Sequence, residues 1–158
     1  MKKMLLILEL VPSTSFFNNV RSAVSRAQWD TIRKRVYSAA YDTCEICGEI
    51  GPRHPVECHE IWNYDDKKKV QKLTGMIALC PACHTVKHFG LAQVQNKEKQ
   101  AIKHFMKVNK LTRTQTDAYL KRAFTIWAER SQYQWTIDIS HLKTYGIDVT
   151  KLRKNDRL

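Results

Sequence analysis

The feature that most constrains the fold of this 158-residue chain is a pair of C-x2-C motifs. Cys44 and Cys47 form the first motif, and Cys80 and Cys83 form the second. Two such motifs that converge place four thiolates around one ion, the usual arrangement for structural zinc. The 32 residues between the motifs leave room for a strand, a loop and a second strand. The spacing therefore predicts a small zinc-bound module.

Two histidines follow the second motif directly, in the segment CPACHTVKH. The side chains of Cys83 and His84 would diverge by about 100° on a helix, so they do not easily share one ion. His84 and His88 lie one helical turn apart on the same face and can bind one ion together. The segment therefore predicts a second metal site. Its other ligands are expected from the preceding strand VECHEIW: His59, Glu60, Glu57 or Cys58.

Hydrophobic patterns predict the strands. Residues 4–10, 56–62 and 76–80 are short apolar or β-prone runs. YQWTIDIS alternates apolar and polar residues, which indicates a late strand that could pair with the N-terminal one. DDKKKVQKL is compatible with a short helix or a solvated loop.

Helical spacing of apolar residues predicts the helices. Residues 26–41 form the first, and PACHTVKHFG forms a short helix that begins at Pro81 and ends at Gly90. KEKQAIKHFMKV and DAYLKRAFTIWAERS follow, the second behind a capping box of Thr112 and Gln115. The expected fold is a single α+β domain over residues 1–158, with a zinc-stapled core, an N-terminal strand and helix, and C-terminal helices.

The charge of the chain indicates an anionic partner. The net charge is +12, and residues 97–158 carry 14 Lys/Arg against 6 Asp/Glu. Nucleic acid is the first candidate, and an acidic membrane surface is the second. Contacts with backbone phosphates are expected from six basic residues of the C-terminal helices: Lys103, Lys107, Lys110, Arg113, Lys121 and Arg122.

We nevertheless expect no membrane partner, because the apolar runs of the chain are short. No stretch approaches the ~20 apolar residues that a transmembrane helix needs. Glu9 interrupts the apolar N-terminal run, and no small-residue cleavage site follows it. A cytoplasmic location is expected, where a reducing environment favours cysteines as metal ligands over disulfides.

The order of these motifs resembles the HNH endonucleases of the ββα-metal fold. The resemblance covers residues 44–90, and IALCPACHTVKH and the four cysteines are its most specific parts. Residues 91–158 would be a basic, mainly helical extension. The resemblance implies that His84 is the metal ligand on the helix, and that His88 corresponds to the extra ligand of colicin-type nuclease domains. It also implies one catalytic divalent ion (Mg, Mn, Ni, Co or Zn) besides the structural zinc.

Two positions depart from the family pattern. Members commonly carry Asp-His or His-His on the first strand, where this chain has CHE. In one register His59 is the general base and Cys58 takes the metal-ligand position; in the other His59 is a metal ligand and Glu60 is the base. Gly75 stands where the family has the asparagine that orients the base. Gln71, Asn63 and Thr74 are the nearest polar residues that could replace it.

Two functions follow as expectations. The first is a metal-dependent HNH endonuclease that hydrolyses phosphodiester bonds in DNA. The alternative is a catalytically silent zinc scaffold that binds nucleic acid or a protein partner, which Gly75 and the CHE segment favour. The presence of three histidines favours the nuclease, because a structural zinc site needs only the four cysteines.

Overall fold

A computed structural model of the chain describes residues 4–16 and 18–152, which form an α+β fold. The helices are α1 (Val20–Ala23), α2 (Arg26–Ala39), α3 (Pro81–Lys87), α4 (Phe89–Val94), α5 (Glu98–Asn109) and α6 (Arg113–Arg130). The strands are β1 (Glu57–Asp65), β2 (Val70–Leu79) and β3 (Thr136–Asp138). Short 3-10 helices occupy Ser13–Ser15, Ser140–Tyr145 and Val149–Lys151.

Strands β1 and β2 form an antiparallel hairpin, and β3 adds to the other side of β2 in parallel. The predicted strands at 56–62 and 76–80 are confirmed, but β2 already begins at Val70, within the segment predicted as a short helix or loop. Because side chains alternate across a strand, His59 lies on one face of β1 and Cys58 and Glu60 lie on the other. Strand β1 therefore separates His59 from both of its sequence neighbours.

Local sequence signals set most helix ends. Ser25 caps α2 and Thr112 caps α6, each in a complete capping box, so the predicted box before α6 is confirmed. Pro81 is the first residue of α3, as predicted. The predicted helix end at Gly90 is wrong: α3 ends at Lys87, the backbone bends at His88, and Gly90 lies inside α4.

The expected N-terminal strand at 4–10 is not formed, and the late strand β3 pairs with β2 instead. The segment forms no regular secondary structure, and side chains of α5 and α6 bind its backbone. The Asn109 Oδ1 atom accepts hydrogen bonds from the Leu5 and Leu6 amides, and the Tyr119 hydroxyl accepts one from the Leu8 amide. These contacts satisfy the backbone groups that a neighbouring strand would otherwise bind.

Two hydrophobic clusters lie on opposite sides of the hairpin. The first joins the N-terminal segment to α3, α4 and α5, and includes Leu6, Leu8, Leu79, Val86, Phe89 and Phe105. The second joins α2 to the hairpin and the C-terminal 3-10 helices, and includes Ile32, Val36, Leu73, Ala78, Leu142 and Ile147. Within the described residues, no helix is long and apolar enough to cross a membrane.

Candidate metal centres

The four cysteines of the two C-x2-C motifs form one cluster. Cys44 and Cys47 lie in the turn after α2, Cys80 precedes α3, and Cys83 lies in its first turn. All four sulfur atoms lie within 4.8 Å of one another, and the Cys47 and Cys80 sulfurs are 3.6 Å apart. Zn–S bonds of about 2.3 Å in a tetrahedron place sulfur atoms about 3.8 Å apart. The cluster therefore fits a structural zinc ion.

The turn that carries the first motif and the protonation of its thiols both bear on zinc binding. The turn of the first motif passes through Gly48, whose φ of +76° favours glycine, and the Gly48 amide donates to the Cys44 carbonyl. A hydrogen bond from Cys83 lowers the pKa of the Cys44 thiol to about 4, whereas burial raises the pKa of Cys47 to about 11. Zinc binding must therefore release protons from the more basic thiols, which makes the affinity depend on pH.

A second cluster contains His59 on β1, His84 on α3 and His88 directly after α3. One ring nitrogen from each histidine lies within 4.8 Å of the others, and the Nε2 atoms of His84 and His88 are 3.1 Å apart. Two imidazoles on a tetrahedral ion, with bonds of about 2.0–2.1 Å, have nitrogens about 3.3–3.4 Å apart. The structure thus brings together the three histidines that the sequence singled out, in a geometry that suits an ion.

Glu57 fixes the orientation of His84. Its Oε2 atom accepts a hydrogen bond from Nδ1 of His84, and its Oε1 atom lies 2.9 Å from Nε2 of His54. Burial raises the pKa of Glu57, but the hydrogen bond from His54 and the interaction with His84 outweigh it and hold that pKa below its usual value. A proton on Nδ1 leaves the Nε2 lone pair of His84 available to an ion, and histidines that bind metals usually donate their other ring N–H to a carboxylate or carbonyl in this way.

His84 and His88 are suited to bind metal as neutral rings. Burial, followed by the charge of His59, lowers the pKa of His84. Surrounding protein atoms that displace water, followed by the charges of His59 and His84, lower the pKa of His88 to about 4, although its side chain remains exposed on one side. Both rings are therefore unprotonated at neutral pH and need not lose a proton to bind an ion.

His59 is held by a residue that sequence reasoning did not select. The ring is 5% exposed, and its Nε2 atom lies 3.0 Å from Oε2 of Glu9. The other oxygen of Glu9 accepts a hydrogen bond of 3.0 Å from Lys87 Nζ. The available signal was the interruption of the apolar run MLLILEL by a single carboxylate.

Glu60 and Cys58 are not brought to the histidines. The Glu60 carboxylate accepts hydrogen bonds from the Val20 amide and from Nε1 of Trp62, on the opposite face of β1. Burial raises the pKa of Glu60, and burial raises that of Cys58 to about 12. Both side chains are therefore parts of the packing between β1 and the N-terminal helices.

Gly75 lies in β2 opposite Ile61, next to an irregularity in the strand pairing. Of the three polar residues near this position, Thr74 donates a hydrogen bond of 3.1 Å to the Ile61 carbonyl. Asn63 is exposed, and Gln71 is buried and accepts a hydrogen bond from Ser15. Thr74 therefore links the two strands beside Gly75. None of these three polar residues is shown in contact with His59; the imidazole of His59 instead contacts the carboxylate of Glu9.

The six basic residues expected to contact phosphate are all exposed on α5, α6 and their connection: Lys103, Lys107, Lys110, Arg113, Lys121 and Arg122. Two of them are already paired, Lys107 with Glu49 at 2.7 Å and Arg113 with Asp117 at 2.8 Å. These two are less available to phosphate than the other four.

No family model matches the chain, and neither the curated proteins nor the solved structures contain a significant match. A functional assignment therefore rests on the two clusters and on the residues that contact them.

Proposed function

We propose that this chain is a metal-dependent endonuclease of the HNH type that hydrolyses phosphodiester bonds in DNA. The observation that carries the proposal is the convergence of His59, His84 and His88 beside the four-cysteine cluster. A zinc scaffold needs four ligands, which the cysteines supply, so it has no use for a second group of oriented imidazoles. His59 on β1 faces His84 on α3 and His88 directly after it. This arrangement suits a site in which two histidines bind an ion and the third acts as a base.

In this proposal His84 and His88 are the ligands of the catalytic ion. A divalent ion bound there would stabilise the negative charge of the phosphate and of the departing 3′ oxygen. Imidazole ligands favour Zn, Ni, Co and Mn over Mg, which prefers oxygen ligands. The carboxylate of Glu57 orients His84 from behind, as histidine ligands usually require.

His59 takes the role of general base. It receives a proton from water, the water oxygen forms a bond to phosphorus, and the bond between phosphorus and the 3′ oxygen breaks. Solvent then supplies a proton to the departing oxygen. Glu60 lies on the other face of β1, and Glu57 is already bonded to two histidines, so His59 is best placed for this step.

The basic extension supplies the contacts with the DNA backbone. Lys121 and Arg122 on α6, with Lys103 on α5 and Lys110 after it, are exposed and could approach phosphates. Such contacts hold a duplex without reading its sequence.

The test uses protein that retains its structural zinc but has no second ion. Plasmid DNA and, in parallel, RNA are incubated with the protein and with Mg, Mn, Ni, Co or Zn added separately, and cleavage is followed on gels. We expect His59→Ala to lose cleavage while it still binds the ion and DNA, because a base acts mainly in the transition state. His84→Ala should lose cleavage and ion binding together. His141→Ala, which removes a ring outside both clusters, is the matched control.

The outcomes separate the two functions. Cleavage that needs an added ion and depends on His59 supports the nuclease. If the wild-type protein cleaves neither DNA nor RNA with any of the five ions, the catalytically silent zinc scaffold is the correct alternative. If His59→Ala also loses the ion, His59 is a third ligand and the base must be sought elsewhere.

A further inference from the structure

A line of three buried polar side chains runs from α3 to the candidate base. Lys87 donates to Oε1 of Glu9, and Oε2 of Glu9 lies 3.0 Å from Nε2 of His59. The side chains of Lys87, Glu9 and His59 are 7%, 13% and 5% exposed. The segment that supplies Glu9 lies outside residues 44–90, the part of the chain that contains both metal clusters.

We propose that Glu9 is a positioning residue that fixes the tautomer of His59. A carboxylate can only accept hydrogen bonds, so its contact with Nε2 requires the proton of a neutral imidazole to sit on Nε2. The lone pair is then on Nδ1, and this nitrogen is the one that can receive a proton from water. The inference rests on the proposed function, in which His59 is the general base.

Lys87 contributes by holding Glu9 in place. An ammonium group has three donors and no acceptor, so the oxygen facing it must accept a hydrogen bond. The remaining oxygen is thereby directed to His59. Lys87 also supplies the positive charge that a largely buried carboxylate needs nearby.

A purely structural role does not account for this arrangement. The backbone already joins the segment to α3, because the Glu9 amide donates to the Lys87 carbonyl at 3.1 Å. The buried side chains of Leu6 and Leu8 anchor the same segment in the first hydrophobic cluster. An apolar residue at position 9 would satisfy these needs without the desolvation cost of a carboxylate.

The substitution Glu9→Gln tests the tautomer with little change of shape. Since Lys87 only donates, the introduced amide must turn its oxygen to Lys87 and its NH2 group to His59. Nε2 of His59 must then accept, and the proton moves to Nδ1, where it blocks proton transfer from water. We expect kcat to fall by about 10- to 10⁴-fold, the upper limit being the loss when Asp→Asn inverts the tautomer in the serine protease triad. KM and ion binding should stay within about twofold of wild type, because the ligands His84 and His88 are untouched.

The double variant Glu9→Gln with Lys87→Met provides the discriminating control. Without the ammonium group, the amide is free to turn its oxygen to His59, which allows the proton to return to Nε2. We expect the double variant to recover at least about tenfold in kcat over Glu9→Gln alone, a non-additive result that loss of packing would not produce. Glu98→Gln, which changes a partly exposed carboxylate on α5, serves as the control for charge alone.

The direct measurement is the tautomer of His59 by 15N NMR, on zinc-loaded protein without added second ion and at a pH where the ring is neutral. The wild type should show the proton on Nε2 and Glu9→Gln should show it on Nδ1. This measurement does not depend on cleavage, so it separates the inference from the proposed function. A wild-type ring protonated on Nδ1, or a tautomer that Glu9→Gln leaves unchanged, would overturn the inference even if the protein is a nuclease. A kcat for Glu9→Gln equal to that of the wild type would overturn it as well.

Discussion

Asn109 makes more hydrogen bonds to the N-terminal segment than any other described side chain, and removing the Asn109 side chain should measurably lower the stability of the protein. Asn109, the last residue of α5, accepts hydrogen bonds from the Leu5 amide at 3.0 Å and the Leu6 amide at 3.1 Å. It also donates a hydrogen bond of 2.8 Å to the Leu6 carbonyl. The substitution Asn109→Ala removes all three bonds at once and leaves both polar groups of Leu6 without this partner in a buried position.

The size of the effect follows from these bonds. A hydrogen bond contributes about 0.5–1.5 kcal/mol net, and an orphaned buried group costs about 1–3 kcal/mol. Alanine recovers a few tenths of a kcal/mol because it favours the helix more than asparagine. We expect the free energy of unfolding to fall by about 2–4 kcal/mol. In a domain of this size that corresponds to a fall in Tm of about 5–15 °C.

The assay is equilibrium unfolding in urea, with zinc present in excess so that metal loss does not complicate the transition. Asn63→Ala, at an exposed position of β1, is the matched control and should change stability by less than about 0.5 kcal/mol. A loss below about 1 kcal/mol for Asn109→Ala would show that the segment is not held by these bonds. The reasoning about the N-terminal attachment would then be wrong.

Three further predictions concern the metal, a buried carboxylate and the basic helices. Cys83→Ser should abolish zinc binding and unfold residues 44–90, because a structural zinc contributes about 10–16 kcal/mol to folding. The prediction is wrong if circular dichroism shows that the variant is folded while elemental analysis shows that it contains no zinc. Burial raises the pKa of Glu60, so the stability that this residue contributes is greatest below its usual pKa of 4.5 and is lost as pH rises through the raised pKa. Glu60→Gln should therefore reduce this pH-dependent loss of stability, measured by urea titrations from pH 4 to 8. The same variant should leave cleavage intact. The proposed DNA binding should weaken steeply with salt. Replacing both Lys121 and Arg122 with alanine should reduce the slope of log K against log salt by about 2. An unchanged slope would show that these two residues of α6 do not contact the phosphates.

The four-cysteine cluster was predictable from sequence because its determinants are local. The two C-x2-C motifs fix which residues can share an ion, and the spacing of His84 and His88 fixes their common face. The capping box at Thr112 and Gln115 is likewise a contact over three residues. Each of these signals depends on bond geometry or helix periodicity, which the rest of the chain does not alter.

The prediction for the N-terminal segment was wrong because its backbone partners are remote. Residues 4–8 form an apolar run that Glu9 interrupts, and short apolar runs are typical of buried strands. The partners of its backbone are instead side chains of Asn109 and Tyr119, more than 100 positions away in the sequence. A similar limit applies to Gly90, since nothing local indicates that the chain resumes a helix after His88.

Glu9 shows why the completed site could not be predicted from its motif. His59 and Glu9 are 50 positions apart, and Glu9 and Lys87 are 78 positions apart, so no local spacing relates them. Residues 44–90 supply the imidazoles and the lysine, but the carboxylate between Lys87 and His59 comes from outside that range. The bonds of Asn109 and Tyr119 hold the segment next to α3, and the segment in turn places Glu9 against His59. The helices after the zinc module therefore contribute to the proposed catalytic site indirectly, by positioning the segment that orients its base.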